Sequence, residues 1–237
     1  MQQDSYDVYS GEELKVWADR RKILLQEKYL LDKYVVDVDA NIIEAGTGGG
    51  RLSLYLYDRG FRKILAFDFV DEMVSRAKRK NDQIDFICAD ATRLDGIEGG
   101  QFDYAIYLQQ IISLVSREKI GTALSESVRV LKDGGVVIYS FLDYRGRIIN
   151  PLVSGVVNCS RIVRREPVDR KYLPWLRLDG KPNWWFFSSG QACAYWFDRE
   201  EIIGLIQDLG LTILEIATSA DILGRFESGM LYIVCKK

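Results

Sequence analysis

From Asn41 to Phe141, apolar runs of five to seven residues alternate with amphipathic stretches of helical period, and few architectures accept that rhythm. "NIIEA", "KILAFDF", "IDFICAD", "FDYAIYL" and "VVIYSF" read as five strands. Between them, "RLSLYLYDRG", closed by Gly60, "VDEMVSRAKRKN" and "SREKIGTALSESVRVLKDGG" read as helices. The last has Ser116 as its N-cap and Gly134 as its stop. Strand and helix alternating at this spacing form βαβ units, and therefore a parallel sheet. Upstream, residues 11–33 set Leu14, Trp17, Ile23, Leu24 and Leu31 among charges, which predicts one or two amphipathic helices. Downstream, Asp198 opens "DREEIIGLIQDLG" with Glu201 three residues on, a capping-box pattern. "LTILEIA" and "GMLYIVC" then predict two closing strands, paired antiparallel.

The first strand runs into "EAGTGGGRLSL", where four glycines fall within five positions. A dinucleotide fingerprint, G-x-G-x-x-G, fits no frame. Counted from Gly46 its last position is Arg51, and from Gly48 it is Ser53. A P-loop needs a Gly-Lys pair after its first glycine, and none follows. What stands there is acid-x-Gly-x-Gly-x-Gly: Glu44, Gly46, Gly48, Gly50. Asp68 closes the second strand and Asp90 the third.

This set resembles the cofactor loop of class I S-adenosylmethionine-dependent methyltransferases. The likeness covers residues 36–143 well and the last forty loosely. It implies an α/β fold: a Rossmann-like, doubly wound, mostly parallel seven-stranded sheet with an antiparallel last strand and a helix-and-loop cap after strand 5. It implies S-adenosyl-L-methionine as cofactor. Asp68 would take the ribose hydroxyls, with Phe69 and Met73 beside it, and Asp90 and Ala91 would meet the adenine edge. The backbone at Leu108 and Gln109 would meet the methionine part. Ala45 and Thr47 complete the loop, and Glu44 would orient it through backbone N–H groups. The chemistry of the ligand agrees. A sulfonium nucleoside without phosphate needs glycines for close approach and carboxylates for its hydroxyls, at the ends of parallel strands.

Residues 144–195 break the rhythm. Trp175, Trp184, Trp185 and Trp196, four of the five tryptophans, lie in or beside this stretch. Nine basic residues stand against three acidic ones, locally +6 in a chain of net charge −2. The resemblance implies an acceptor cap here. The domain reading is then a helical segment at 1–40, a core of 41–143 with 196–237, and a cap at 144–195. Arg145, Arg164, Arg165, Trp184, Trp185, Tyr195 and Trp196 are its candidate acceptor contacts, for a flat or anionic small molecule. Asp143, Tyr144 and Tyr195 are the candidate bases, since the chain has no histidine. That absence excludes Ser-His-Asp hydrolysis and histidine-bound zinc. With four scattered cysteines, no metal is expected.

The expected activity is methyl transfer to oxygen or nitrogen of that acceptor. An RNA methyltransferase and a non-catalytic S-adenosylmethionine-binding protein are the alternatives. An acidic pI of about 5.4 argues against a nucleic-acid partner. No apolar run reaches bilayer-spanning length and no secretion signal is legible, so no membrane partner and a cytoplasmic location are expected, for a monomer or homodimer.

Overall fold

The computed structural model describes residues 18–19, 22–178, 181–224 and 229–237. Leu14 and Trp17, expected on the first helix, lie outside them. Among the described residues α1 spans Leu25–Tyr34 and buries Glu27, Leu30 and Leu31.

The five expected strands form: β1 Asn41–Ala45, β2 Lys63–Asp68, β3 Asp85–Cys88, β4 Phe102–Tyr107 and β5 Leu131–Asp143. Between them run α2 Arg51–Asp58, α3 Asp71–Lys80 and α4 Ile120–Val130. α5, Asn150–Arg164, follows β5 and has a proline in its first turn. Short strands β6 Tyr172–Pro174, β7 Arg177–Leu178 and β8 Lys181–Pro182 lead to β9, Cys193–Phe197. The chain finishes with α6 Arg199–Asp208, β10 Thr212–Thr218, α7 Ser219–Leu223 and β11 Met230–Lys236.

The sheet order is β10-β11-β5-β4-β1-β2-β3. β1 pairs in parallel with both β2 and β4, and β5 in parallel with β4. β11 runs antiparallel to β5 and β10, as expected of the closing strands. The order reverses between β1 and β4. Beyond their C-terminal ends the crossovers diverge and leave a crevice, where open α/β sheets hold ligands. Strands buried on both faces need apolar runs, and two clusters supply them. One centres on Ile43, Tyr107, Tyr139 and Phe141, the other on Ile42, Leu56, Ile106 and Val234.

Three local expectations are corrected. α4 ends at Val130, and "LKDGG" belongs to β5. There Gly134 (φ +80°) lies where the register against β4 jumps from Phe102↔Leu131 to Tyr104↔Val136. The glycine serves a bulge and does not stop a helix. Ser116 precedes a 3₁₀ turn, Arg117–Lys119, and its side chain caps nothing. The stretch after Asp143 is more regular than helix and loop. β9 joins the sheet beside β5 (Leu142↔Trp196, Asp143↔Phe197) and pairs antiparallel with β6.

Candidate active site

A cleft opens at the C-terminal ends of β1, β2 and β4. Its floor is the loop between β1 and α2. Gly46, Gly48 and Gly50 all hold positive φ, which an L side chain strains to adopt. Part of the demand for glycine comes from the protein itself. A Cβ on Gly49 would stand 2.0 Å from the Ala18 carbonyl oxygen, so the segment before α1 lies directly on this loop. Lys80 Nζ donates to the Gly49 carbonyl at 2.8 Å from the other side.

Glu44 is fully buried at the cleft wall. Thr47 Oγ1 donates to it at 3.2 Å, and Ser53 Oγ donates to the same oxygen. Hydroxyls, rather than the expected backbone N–H groups, hold the loop to this carboxylate. Burial outweighs them and pushes the Glu44 carboxyl up to about 7.

Asp68 ends β2 and lines the cleft. Gly48 N–H donates to Oδ2 at 2.8 Å and Val70 N–H to Oδ1 at 3.0 Å. Each oxygen keeps a further lone pair, so the carboxylate presents two acceptors, the pattern that a vicinal diol satisfies. Burial raises its pKa against the pull of those two N–H groups. Phe69, Met73, Ala89 and Ala91 form an apolar slot beside it. The residues therefore fit a nucleoside bound through its sugar.

The far wall comes from the segment after β4. Gln109 and Gln110 hold φ of 60° and 52°, rare for non-glycine residues. The bend is pinned by Gln110 N–H donating to Ser140 Oγ at 2.8 Å. A 3₁₀ turn, Ile111–Leu114, then presents Ile111 and Leu114 to the cleft, with Val115 next.

Of the cofactor residues expected from sequence, Glu44, Gly46, Thr47, Gly48, Asp68, Phe69, Met73, Ala91 and Gln109 line this cleft. Ala45 and Leu108 are buried in the core beneath it, and Gly50 caps α2. Asp90 turns its Oδ1 to the Thr92 N–H at 2.9 Å and does not line the cleft.

Arg51 was missed. It lines the cleft and forms a buried, bidentate ion pair with Glu27 of α1, whose Oε1 also accepts from Gln109 Nε2. The signal was present in the sequence: a cation in the first turn of a helix opposes the helix dipole and needs an acid nearby.

The acceptor candidates do not gather at the cleft. Arg145 pairs with Asp198 and Glu200, and Arg164 with Glu166. Arg165 is an exposed helix terminus, and Trp184 and Trp185 sit exposed on a turn. Tyr195 lies in the main core, donating its hydroxyl to Glu201 at 2.8 Å, and is no free base. Asp143 Oδ1 accepts from the Arg145 N–H.

Trp196 and Tyr144 are better placed. Both belong to a buried cluster with Leu114, the residue that also walls the cleft. The Tyr144 hydroxyl is buried without a hydrogen-bond partner among the described residues. Arg147, absent from the acceptor candidates, lies over the Trp196 ring at 5.3 Å. Its guanidinium has no acidic partner among the described residues, and burial lowers its pKa.

Residues 42–135 match the family model of a methyltransferase domain. Over 116 residues, 46% of this chain and 38% of the relative, the sequence is 34% identical to an S-adenosyl-L-methionine-dependent Diels-Alderase of Talaromyces variabilis. The match thus spans well under half of that relative. Among solved structures, an S-adenosylmethionine-dependent methyltransferase of Methanosarcina mazei aligns with a TM-score of 0.67 at 17% identity, over 88% of this chain and 96% of that one. The 1,6-didemethyltoxoflavin-N1-methyltransferase of Burkholderia thailandensis, solved with S-adenosylhomocysteine, aligns at 0.57 and 17% identity, over 99% and 82%. These two show the fold. Residues 42–135 thus carry a methyltransferase domain on a fold shared with S-adenosylmethionine-dependent methyltransferases, and S-adenosyl-L-methionine is the cofactor that domain indicates.

Proposed function

We propose that this chain transfers the cofactor's methyl group to oxygen or nitrogen of a small acceptor that is aromatic or anionic. The observation that carries the reading is Leu114, shared between the cofactor cleft and the Trp196–Tyr144 cluster on which Arg147 lies. In this reading the acceptor enters against Leu114, with the Trp196–Tyr144 cluster and Arg147 behind that wall. Residues 144–195 act as its cap, on a core of 41–143 and 196–237. Displacement at a sulfonium methyl needs alignment and exclusion of water more than it needs a base. The apolar wall of Ile111, Leu114 and Val115 suits that demand.

In this reading Asp68 takes the ribose hydroxyls, the slot of Phe69, Met73 and Ala91 takes adenine, and Gln109 with Arg51 meets the amino-acid end. Asp68→Ala is expected to weaken S-adenosylhomocysteine binding by roughly 1–3 kcal/mol in calorimetry. Unchanged affinity would remove Asp68 from the site. Arg147→Gln is expected to cost about 1.5–3 kcal/mol in kcat/KM for an anionic acceptor and to leave S-adenosylhomocysteine binding intact. An equal loss for neutral acceptors would refute the pairing.

A second reading keeps the cofactor and drops the transfer. It is supported by the similarity to an S-adenosyl-L-methionine-dependent Diels-Alderase. One experiment separates the readings: a panel of aromatic and anionic acceptors incubated with methyl-labelled cofactor, following S-adenosylhomocysteine release. Acceptor-dependent release supports transfer. Conversion of an acceptor without release supports the second reading. Failure to bind S-adenosylhomocysteine overturns both.

A further inference from the structure

We infer that the outer face of α5, with the turn at residues 184–187, docks on an anionic lipid bilayer surface. The inference is independent of the chemistry in the cleft. Ile149, Leu152, Val156 and Val163 follow at i, i+3, i+7 and i+14, so they share one stripe of the helix. All four are exposed, Leu152 at 72% and Val163 at 85%. The opposite face, with Val153 and Val157, is buried. Arg161 ties that buried side to β6 through the Tyr172 carbonyl at 2.9 Å. The stripe is therefore held outward by a fixed helix.

The stripe continues onto the turn. Ser160 Oγ and Arg164 both donate to the Phe187 carbonyl, at 3.0 and 2.6 Å, which fastens the turn along the edge of the stripe. Trp184 and Trp185 stand out from it at 76% and 71% exposure. A contiguous apolar surface of this kind marks an interaction site. Exposed tryptophans beside an aliphatic helix face suit the headgroup layer, where an indole is half apolar and half wet.

Charge selects the occupant. The exposed Arg165, at the end of the helix, and Lys181, three residues before the turn, have no acid partner among the described residues, while the described acids of the segment are engaged: Glu166 by Arg164 and Asp169 by Arg117. A second copy pairing along this face would bring no free acid to those cations, because the described acids of the segment are already engaged. A bilayer carrying anionic lipid supplies the missing negative charge. The described residues hold no helix long and apolar enough to cross a membrane, so the contact lies in the plane of the surface.

The test is sedimentation of the full chain with vesicles of phosphatidylcholine, alone or containing phosphatidylglycerol, with S-adenosylhomocysteine binding as the check on folding. The expected result is partition into the anionic vesicles at least about tenfold above the neutral ones, with a blue shift of tryptophan emission. The double variant Trp184→Ala, Trp185→Ala is expected to lose about tenfold. Arg165→Glu with Lys181→Glu is expected to lose the preference for anionic lipid, which added salt also weakens in the wild type. Absence of binding to anionic vesicles, or equal binding by the tryptophan variant, overturns the inference. So does a concentration-dependent dimer that Leu152→Glu dissociates, which assigns the face to a second copy.

Discussion

Glu27→Ala is expected to lower the unfolding free energy by roughly 3–5 kcal/mol, the usual cost of removing one partner from a buried ion pair. Glu27 is fully inaccessible and Arg51 nearly so. The carboxylate accepts from both Arg51 terminal nitrogens, from Gln109 Nε2 and from the Leu24 N–H. Truncation strands a buried guanidinium and two further donors, Gln109 Nε2 and the Leu24 N–H, at once. Urea denaturation of the pair of variants Glu27→Ala and Glu27→Gln measures it, the amide keeping shape and part of the hydrogen bonding. A loss under 1 kcal/mol for the alanine variant would mean that Arg51 reaches water and the pair is not buried in solution. Replacing both partners, Glu27→Leu with Arg51→Met, is expected to recover much of the stability, because well-packed apolar pairs often match buried ionic ones. That double variant should still bind S-adenosylhomocysteine more weakly, since Arg51 lines the cleft. The pair therefore links the helix before the sheet to the floor of the cleft.

The parallel sheet was legible because each strand is apolar on both faces and each helix only on one, so period and length separate them without tertiary information. The candidate cleft was legible for a related reason. Its residues sit at fixed offsets from strand ends, and Glu44, Gly48 and Asp68 are read from the strands they close. What escaped depends on contacts between distant segments. Arg51 and Glu27 lie 24 positions apart, and nothing local to either names the other. Gly49, outside the acid-x-Gly-x-Gly-x-Gly pattern, is required by the close approach of Ala18.

The aromatic residues after β5 failed in an instructive way. Composition marks them as apolar but does not say which surface they face. Tyr195 and Trp196 belong to β9, a five-residue strand buried throughout, whose pairing with β5 has no signature in "CAYWF". Trp184 and Trp185 went the other way and stand in solvent. The same limit hid Arg147. Among nine basic residues in the segment, only the fold distinguishes a guanidinium lying on Trp196 from those neutralised by acids.

The stability of this protein is expected to fall as pH rises from about 4.5 toward 7, against the usual trend for carboxylates. Glu44 is the cause. Its folded value, about 7, lies above its ordinary 4.5, because burial penalises the ionised form more than Ser53 and Thr47 stabilise it. Between those two values the folded chain holds a proton that the unfolded chain has released. The contribution is therefore fully present below pH 4.5 and is lost as pH climbs through 7. By linkage the loss amounts to roughly 3 kcal/mol. Denaturation of the wild type and Glu44→Gln across pH 4.5–8 isolates it, since the amide cannot titrate and the difference between the two curves should carry the slope. Parallel curves would show that Glu44 stays ionised throughout. The cofactor should act on the same proton. S-adenosylmethionine brings a sulfonium charge to the cleft that Glu44 lines, and a nearby cation favours the carboxylate. Binding then releases the proton, so affinity should rise with pH up to about 7 and level off above it. S-adenosylhomocysteine lacks the sulfonium and should show a shallower rise. In Glu44→Gln both slopes should vanish. A pH dependence that is identical for the two ligands would place the sulfonium too far from Glu44 to be felt.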